Sequence, residues 1–202
     1  VLVVSHDPYV GRSAIRALTL DEVKQFDGGL PTLADVFQMV TESPLPAAGR
    51  VMLNIETKSF RDTALNDYPV PPSEFARMWL DCVAAHRMLE RSILQSFDWR
   101  TLIAAKAIEP RVTIAVLTED PKEDLVATAV TLRPEWMSPR WDMANVNRTA
   151  VDRLHQRGVR VAAWTPNDAS AWTHLVSIGV DSIITDDPAA LLAHLGRPKA
   201  SS

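Results

Sequence analysis

The run VMLNIETKSF at residues 51–60 sets Asn54, Glu56 and Lys58 at every second position behind an apolar lead. Strand side chains alternate between faces, so these three share one face while Leu53, Ile55 and Thr57 share the other. A carboxylate and an ammonium inside an apolar strand are normally paired with each other or bind a ligand. Two chemistries fit: a structural ion pair, or a metal-binding carboxylate beside a phosphate-binding cation. The segment alone favours neither. His6, in VLVVSHDP, is the second candidate. Its imidazole titrates near neutrality and stands at the end of an apolar run, with Asp7 beside it either to orient the ring or to cap the next turn.

Side chains like these need a rigid frame. The chain has 202 residues, 47% hydrophobic and 23% charged. That is enough for one domain over residues 1–202, burying roughly 70% of the surface its unfolded chain exposes. Net charge is -4 with no basic patch, which gives no support to nucleic-acid binding. The one cysteine, Cys82, excludes an internal disulfide and, in an apolar helical stretch, reads as an inert core thiol. No apolar run reaches the ~20 residues of a membrane-spanning helix, so no stable membrane insertion is expected. The first residue is Val1, inside an apolar run, and the expected start of the gene product lies upstream of it. Compartment is therefore not read from this sequence.

Short apolar or β-branched runs at 51–55, 92–97, 112–117, 136–138, 159–164 and 181–185 predict strands. Helical patterns separate them: 73–87, 99–108 behind Asp98, 121–131 opening on Pro121, 145–157 before Gly158, 167–178 before Gly179, and a last helix from Asp187-Pro188. Upstream, VLVVSHD predicts a further strand, and residues 11–30 a polar, turn-rich excursion. Pro31-Thr32 opens a helix through Thr41, with Asp35 completing a capping box. Residues 197–202 read as a frayed tail.

Six strand–helix units in a row, with no Gly-rich nucleotide loop, predict an α/β fold of the (β/α)8 TIM-barrel type. At roughly 250 residues for a typical barrel, this one is incomplete and lacks the first two strands. Barrel geometry gathers functional groups at the C-terminal strand ends. Those ends carry His6 and Asp7, Glu56 and Lys58, Ser96 to Asp98, Trp164 to Asn167, and Thr185 to Asp187. Asp98, Asn167 and Asp187 are explained more simply as helix caps, and Trp164 as a filler of the barrel top. His86, His155, His174 and His194 fall on helical stretches and read as surface residues.

Taken together, VVSHDPYVGR, LPTLADVF, LNIETKS, ILQSFDWRTL, RVAAWTPND and GVDSIITDDP resemble the glycerophosphodiester phosphodiesterase family in order and spacing, over nearly the whole chain. The resemblance implies hydrolysis of a small-molecule glycerophosphodiester substrate to glycerol 3-phosphate and an alcohol, assisted by a divalent metal, Mg²⁺ or Ca²⁺. It assigns His6 as the second of two catalytic histidines, Glu56 as a metal carboxylate and Lys58 as a catalytic lysine near the phosphate. Phe97 and Trp164 match aromatic positions that line the substrate site. The family's first His-Arg pair and its Glu-x-Asp metal pair have no counterpart here, and the expectation is truncation rather than divergence. The 202 residues alone are then expected to be inactive. An alternative is a non-catalytic barrel that binds glycerophosphodiesters or another anionic ligand. A lipase-type or lyase-type enzyme on the same scaffold fits LNIETKS and SFD less well.

Overall fold

The six predicted strands and the helices between them form in the computed structural model, which describes residues 1–59 and 70–196. The predicted tail at 197–202 lies outside the described residues. The chain divides into two compact units, Val1–Ile114 and Ala115–Ser202.

The first unit opens differently from expectation. VLVV is not a strand of the sheet. It makes one antiparallel bridge, Val3 with Thr32, and its backbone is taken up by Val4 N–H to Pro31 O (2.9 Å) and Leu33 N–H to Leu2 O (2.9 Å). The apolar run is thus spent on the entry to the helix at 33, and Val1 remains 82% exposed. The excursion is more ordered than its composition suggests. It begins in a hairpin of β1 (Tyr9–Val10), just ahead of it, and β2 (Ser13–Ala14), whose turn uses Gly11 at φ 58, a conformation glycine adopts at no steric penalty. A helix α1 (Leu20–Phe26) follows, its capping box made by Thr19 and Glu22. The predicted box at Thr32 and Asp35 opens α2 (Leu33–Glu42).

Next come β3 (Leu53–Thr57), α3 (Pro72–Ala85), β4 (Ser92–Ser96) and α4 (Trp99–Ile108). The strands pair in parallel, Leu53 opposite Ser92 through Thr57 opposite Ser96. Phe37, Trp79, Val83, Leu94 and Leu102 are all buried to 1% exposure or less and form the apolar core of this unit. Cys82 is half-buried, and that burial pushes its thiol up from the ordinary value.

Two features of α4 and its exit make predictions. The Thr101 hydroxyl is fully buried and has no hydrogen-bond partner among the described residues. An orphaned buried hydroxyl is destabilising, so Thr101→Val is expected to stabilise by about 1 kcal/mol. That raises the melting temperature by roughly 2–4 °C in a scanning melt. After α4, Glu109 is clasped by Arg111 (Nε to Oε1 3.0 Å, Nη2 to Oε2 2.9 Å). These side-chain hydrogen bonds, then the Arg111 backbone N–H, hold its carboxyl down to about 2. A depressed carboxyl contributes stability above its unfolded value of about 4.5 and loses it as pH falls toward 2. A carboxyl-carbon NMR titration should place Glu109 near 2, and Arg111→Ala should return it toward 4.5.

Strand β5 (Thr113–Thr118) begins at the end of the first unit and runs into the second. The second unit continues with α5 (Leu125–Leu132), β6 (Trp136–Pro139), α6 (Arg148–His155), β7 (Arg160–Trp164), α7 (Ala169–Ile178), β8 (Ser182–Ile184) and α8 (Pro188–His194). Each strand pairs in parallel with the next: β5 with β6, β6 with β7, β7 with β8. This is the connectivity of a (β/α)8 barrel, and the described residues supply six of its strand–helix units. The caps explain where the helices start. Asp124 accepts from Val126 N–H and Ala127 N–H, so α5 opens at 125 rather than at Pro121. Asn147, Asp168 and Asp187 cap α6, α7 and α8. Asp181 accepts from Val161 N–H (2.8 Å) and contacts His155 Nε2 (2.8 Å), tying α6 to β7.

Candidate functional site

Strand β3 delivers the central pair. Alternation places Glu56 and Lys58 on one face, and the Lys58 ammonium donates to Glu56 Oε1 at 2.9 Å. Both side chains are about a quarter exposed (22% for Lys58, 27% for Glu56), so solvent can still reach the pair. Two positions earlier, Asn54 Nδ2 donates to Gln95 Oε1 of β4 at 2.5 Å. On the opposite face Thr57 is buried, and its hydroxyl donates to Ser96 Oγ at 2.7 Å.

Glu56 and Lys58 open onto a cavity of about 830 Å³ in the first unit. His6 and Asp7 line the same cavity, so three of the predicted site residues converge there. His6 Nδ1 lies 3.0 Å from Asp7 Oδ1. This contact favours the orienting role for Asp7 over turn capping. The imidazole side chain is 87% exposed. Tyr9 and Arg16 also line this cavity, carried by β1 and by the turn at 15–17. Sequence reading passed over Arg16, which falls in the excursion, and over Tyr9, just ahead of it.

Phe97 is half-buried between Ser96 and Asp98 and is not among the cavity-lining residues. Asp98 is buried, caps α4 through Arg100 N–H, and takes a two-point contact from the Arg100 guanidinium (2.8 and 2.7 Å). It is a structural carboxylate, as its capping position suggested.

Trp164 lies in the second unit, at the end of β7. Its indole N–H donates to Ser138 O at 2.8 Å, and its carbonyl accepts from Trp141 N–H at 2.7 Å. The ring is therefore held by the end of β6. Arg140, also at that strand end, contacts Asp142 (2.6 Å) and Glu119 (3.8 Å), and the Asp142 hydrogen bond raises its guanidinium further. Asn167 is not the cap predicted for α7, because Asp168 takes that role with two N–H acceptances. The Asn167 amide instead bonds Asp186 Oδ2 (2.6 Å), the Thr185 hydroxyl (2.9 Å) and Asp186 N–H (2.9 Å), joining the loops after β7 and β8.

Hard carboxylate oxygens suit Mg²⁺ or Ca²⁺. The described residues do not make up a centre for such an ion. No three His, Cys, Asp or Glu side chains among them gather to hold one, and Glu56 is engaged by Lys58. Glu56 offers one carboxylate where such ions take six or more oxygens. Among the described residues no helix is long and apolar enough to cross a membrane.

Relatives agree with this arrangement of elements. A glycerophosphodiester phosphodiesterase of Caldanaerobacter subterraneus subsp. tengcongensis is 26% identical over 207 residues, covering 95% of this chain and 79% of that protein. The structure of an Oleispira antarctica phosphodiesterase, solved with the product sn-glycerol-3-phosphate, superposes with a TM-score of 0.77 at 20% identity. It covers 96% of this chain and 79% of that one. A chain from Silicibacter pomeroyi DSS-3 is 25% identical with a TM-score of 0.69. The match covers 82% of this chain and spans 56% of that one. The profile of the Glycerophosphoryl diester phosphodiesterase family matches residues 1–190, and the chain belongs to that family.

Proposed function

We propose that this chain forms the phosphate-holding side of a phosphoric diester hydrolase acting on glycerophosphodiesters. The reaction adds water across one P–O bond and yields glycerol 3-phosphate and an alcohol. The carrying observation is the Glu56–Lys58 pair at the end of β3, opening with His6 onto one cavity. Lys58 offers a point charge to a non-bridging phosphate oxygen. His6, held by Asp7, moves a proton between water and the reacting oxygens. Glu56 is the contribution of this chain to a Mg²⁺ or Ca²⁺ site, and Phe97, at the end of β4 in the same unit, offers apolar surface for substrate.

Calorimetry with glycerol 3-phosphate tests the binding half of this reading. In metal-free buffer Glu56 competes with phosphate for Lys58. A pair of this exposure is worth about 1 kcal/mol, so Glu56→Gln is expected to tighten glycerol 3-phosphate roughly fivefold. No binding by the parent chain would overturn the reading. Turnover is the other half. With Glu56 as the one carboxylate offered to the metal among the described residues, the 202 residues alone are expected to release no detectable glycerol 3-phosphate from glycerophosphocholine. A chimera adding the part of the Caldanaerobacter protein outside the match should do so with Mg²⁺ or Ca²⁺, and Glu56→Gln should abolish that release. The second reading is binding of glycerophosphodiesters without turnover. A folded chimera that binds product yet stays inactive would establish it.

A further inference from the structure

Strands β3 and β4 end side by side, at Thr57 and Ser96, and beyond them the ladder hydrogen bonds stop. At this point a chain of buried hydroxyls takes over. Thr57 Oγ1 donates to Ser96 Oγ (2.7 Å), and Ser96 Oγ accepts from Asp98 N–H (3.0 Å). The Thr57 and Ser59 hydroxyls lie 3.3 Å apart. The three side chains are 2%, 0% and 5% exposed for Thr57, Ser96 and Ser59. Hydroxyls this deep are held to their partners, because leaving one unpaired is unfavourable.

Their placement has a functional meaning. Thr57 stands between Glu56 and Lys58 and points the opposite way, so its anchorage sets the direction in which both leave the strand. Ser96 immediately precedes Phe97, and its bond to Asp98 N–H fixes the turn that presents Phe97. The same two hydroxyls thus register a charged residue on one strand end against an aromatic on the next. An apolar residue would fill either position at least as well, as Leu94 does within β4. We infer that Thr57 and Ser96 are positioning residues, a buried hydroxyl pair that orients Lys58 toward the phosphate by locking the end of β3 to the turn after β4. This rests on the proposed role of Lys58 as the phosphate contact.

The test compares the parent with Thr57→Val, Thr57→Ser and Ser96→Ala. The two readouts are glycerol 3-phosphate affinity and the side-chain ¹⁵N signal of Lys58, which reports its contact with Glu56 without any ligand. Thr57→Val is expected to weaken glycerol 3-phosphate about tenfold and to shift the Lys58 signal. Thr57→Ser, which keeps the hydroxyl, should restore both. Thr101→Val removes a buried hydroxyl outside this chain of bonds and should move neither. If Thr57→Val does not fold, Ser96→Ala carries the same test. An unshifted Lys58 signal and unchanged affinity in Thr57→Val, with only the melting temperature lowered, would overturn the inference. A parent chain that binds no glycerol 3-phosphate overturns the substrate reading, and the Lys58 signal then still decides the positioning role.

Discussion

Methionine in place of Lys58 is expected to weaken glycerol 3-phosphate binding about a hundredfold. A charge-assisted hydrogen bond to phosphate contributes about 1.5–3 kcal/mol, and each 1.4 kcal/mol is tenfold in affinity. The substitution also leaves Glu56 without the ammonium 2.9 Å away, so an unpaired carboxylate faces the incoming dianion. Both effects act in the same direction. The aliphatic stem is nearly preserved in Met, so the loss reports the charge rather than packing. Salt offers an independent check, because raising ionic strength should weaken the parent and leave Lys58→Met little changed. Lys58→Arg keeps the charge on a planar fork and should recover only part of the affinity. Affinity in Lys58→Met within about threefold of the parent would remove Lys58 from the phosphate contact.

The second large effect concerns the frame under that pair. Leu94 is 0% exposed at the middle of β4 and is paired in register with Ile55 of β3, next to Glu56. Leu94→Ala removes buried methyl groups and leaves a cavity between close-packed neighbours, a change that typically destabilises by about 2–5 kcal/mol. Against a total stability of about 5–15 kcal/mol, that is a substantial fraction. A urea melt should show a lower midpoint with an unchanged slope. Ile103, 54% exposed on α4, is the comparison, and its replacement by Ala should change stability by about 0.5 kcal/mol or less. A Leu94→Ala loss no greater than that of Ile103→Ala would mean that β3 and β4 are held together by something other than this core.

Strands β3 to β8 were legible because each is a short apolar or β-branched run bounded by a turn residue. Most helix starts were legible because a side chain names them: Thr32, Asp98 and Asp187 all accept from the first-turn N–H groups expected. The Glu56–Lys58 contact was legible from period-two spacing alone, and so was its ambiguity, since an ion pair and a ligand site use the same residues. The failures share a cause. VLVV has strand composition, yet its backbone partner is the segment 31–33, and composition does not name partners. Asn167 has the type of a cap, but the residue after it, Asp168, takes the N–H groups, leaving the amide to bond residues 18 and 19 positions away. Tyr9 and Arg16 were missed because cavity lining depends on how the hairpin folds back, a non-local outcome that local spacing does not encode.

The Asn167 bonds have a kinetic consequence. The Asp186 amide is protected by a side chain from the loop after β7, not by a strand neighbour. Its hydrogen exchange therefore reports the opening of that other loop. The turns following β7 and β8 should open together, as one cooperative event below the threshold of global unfolding.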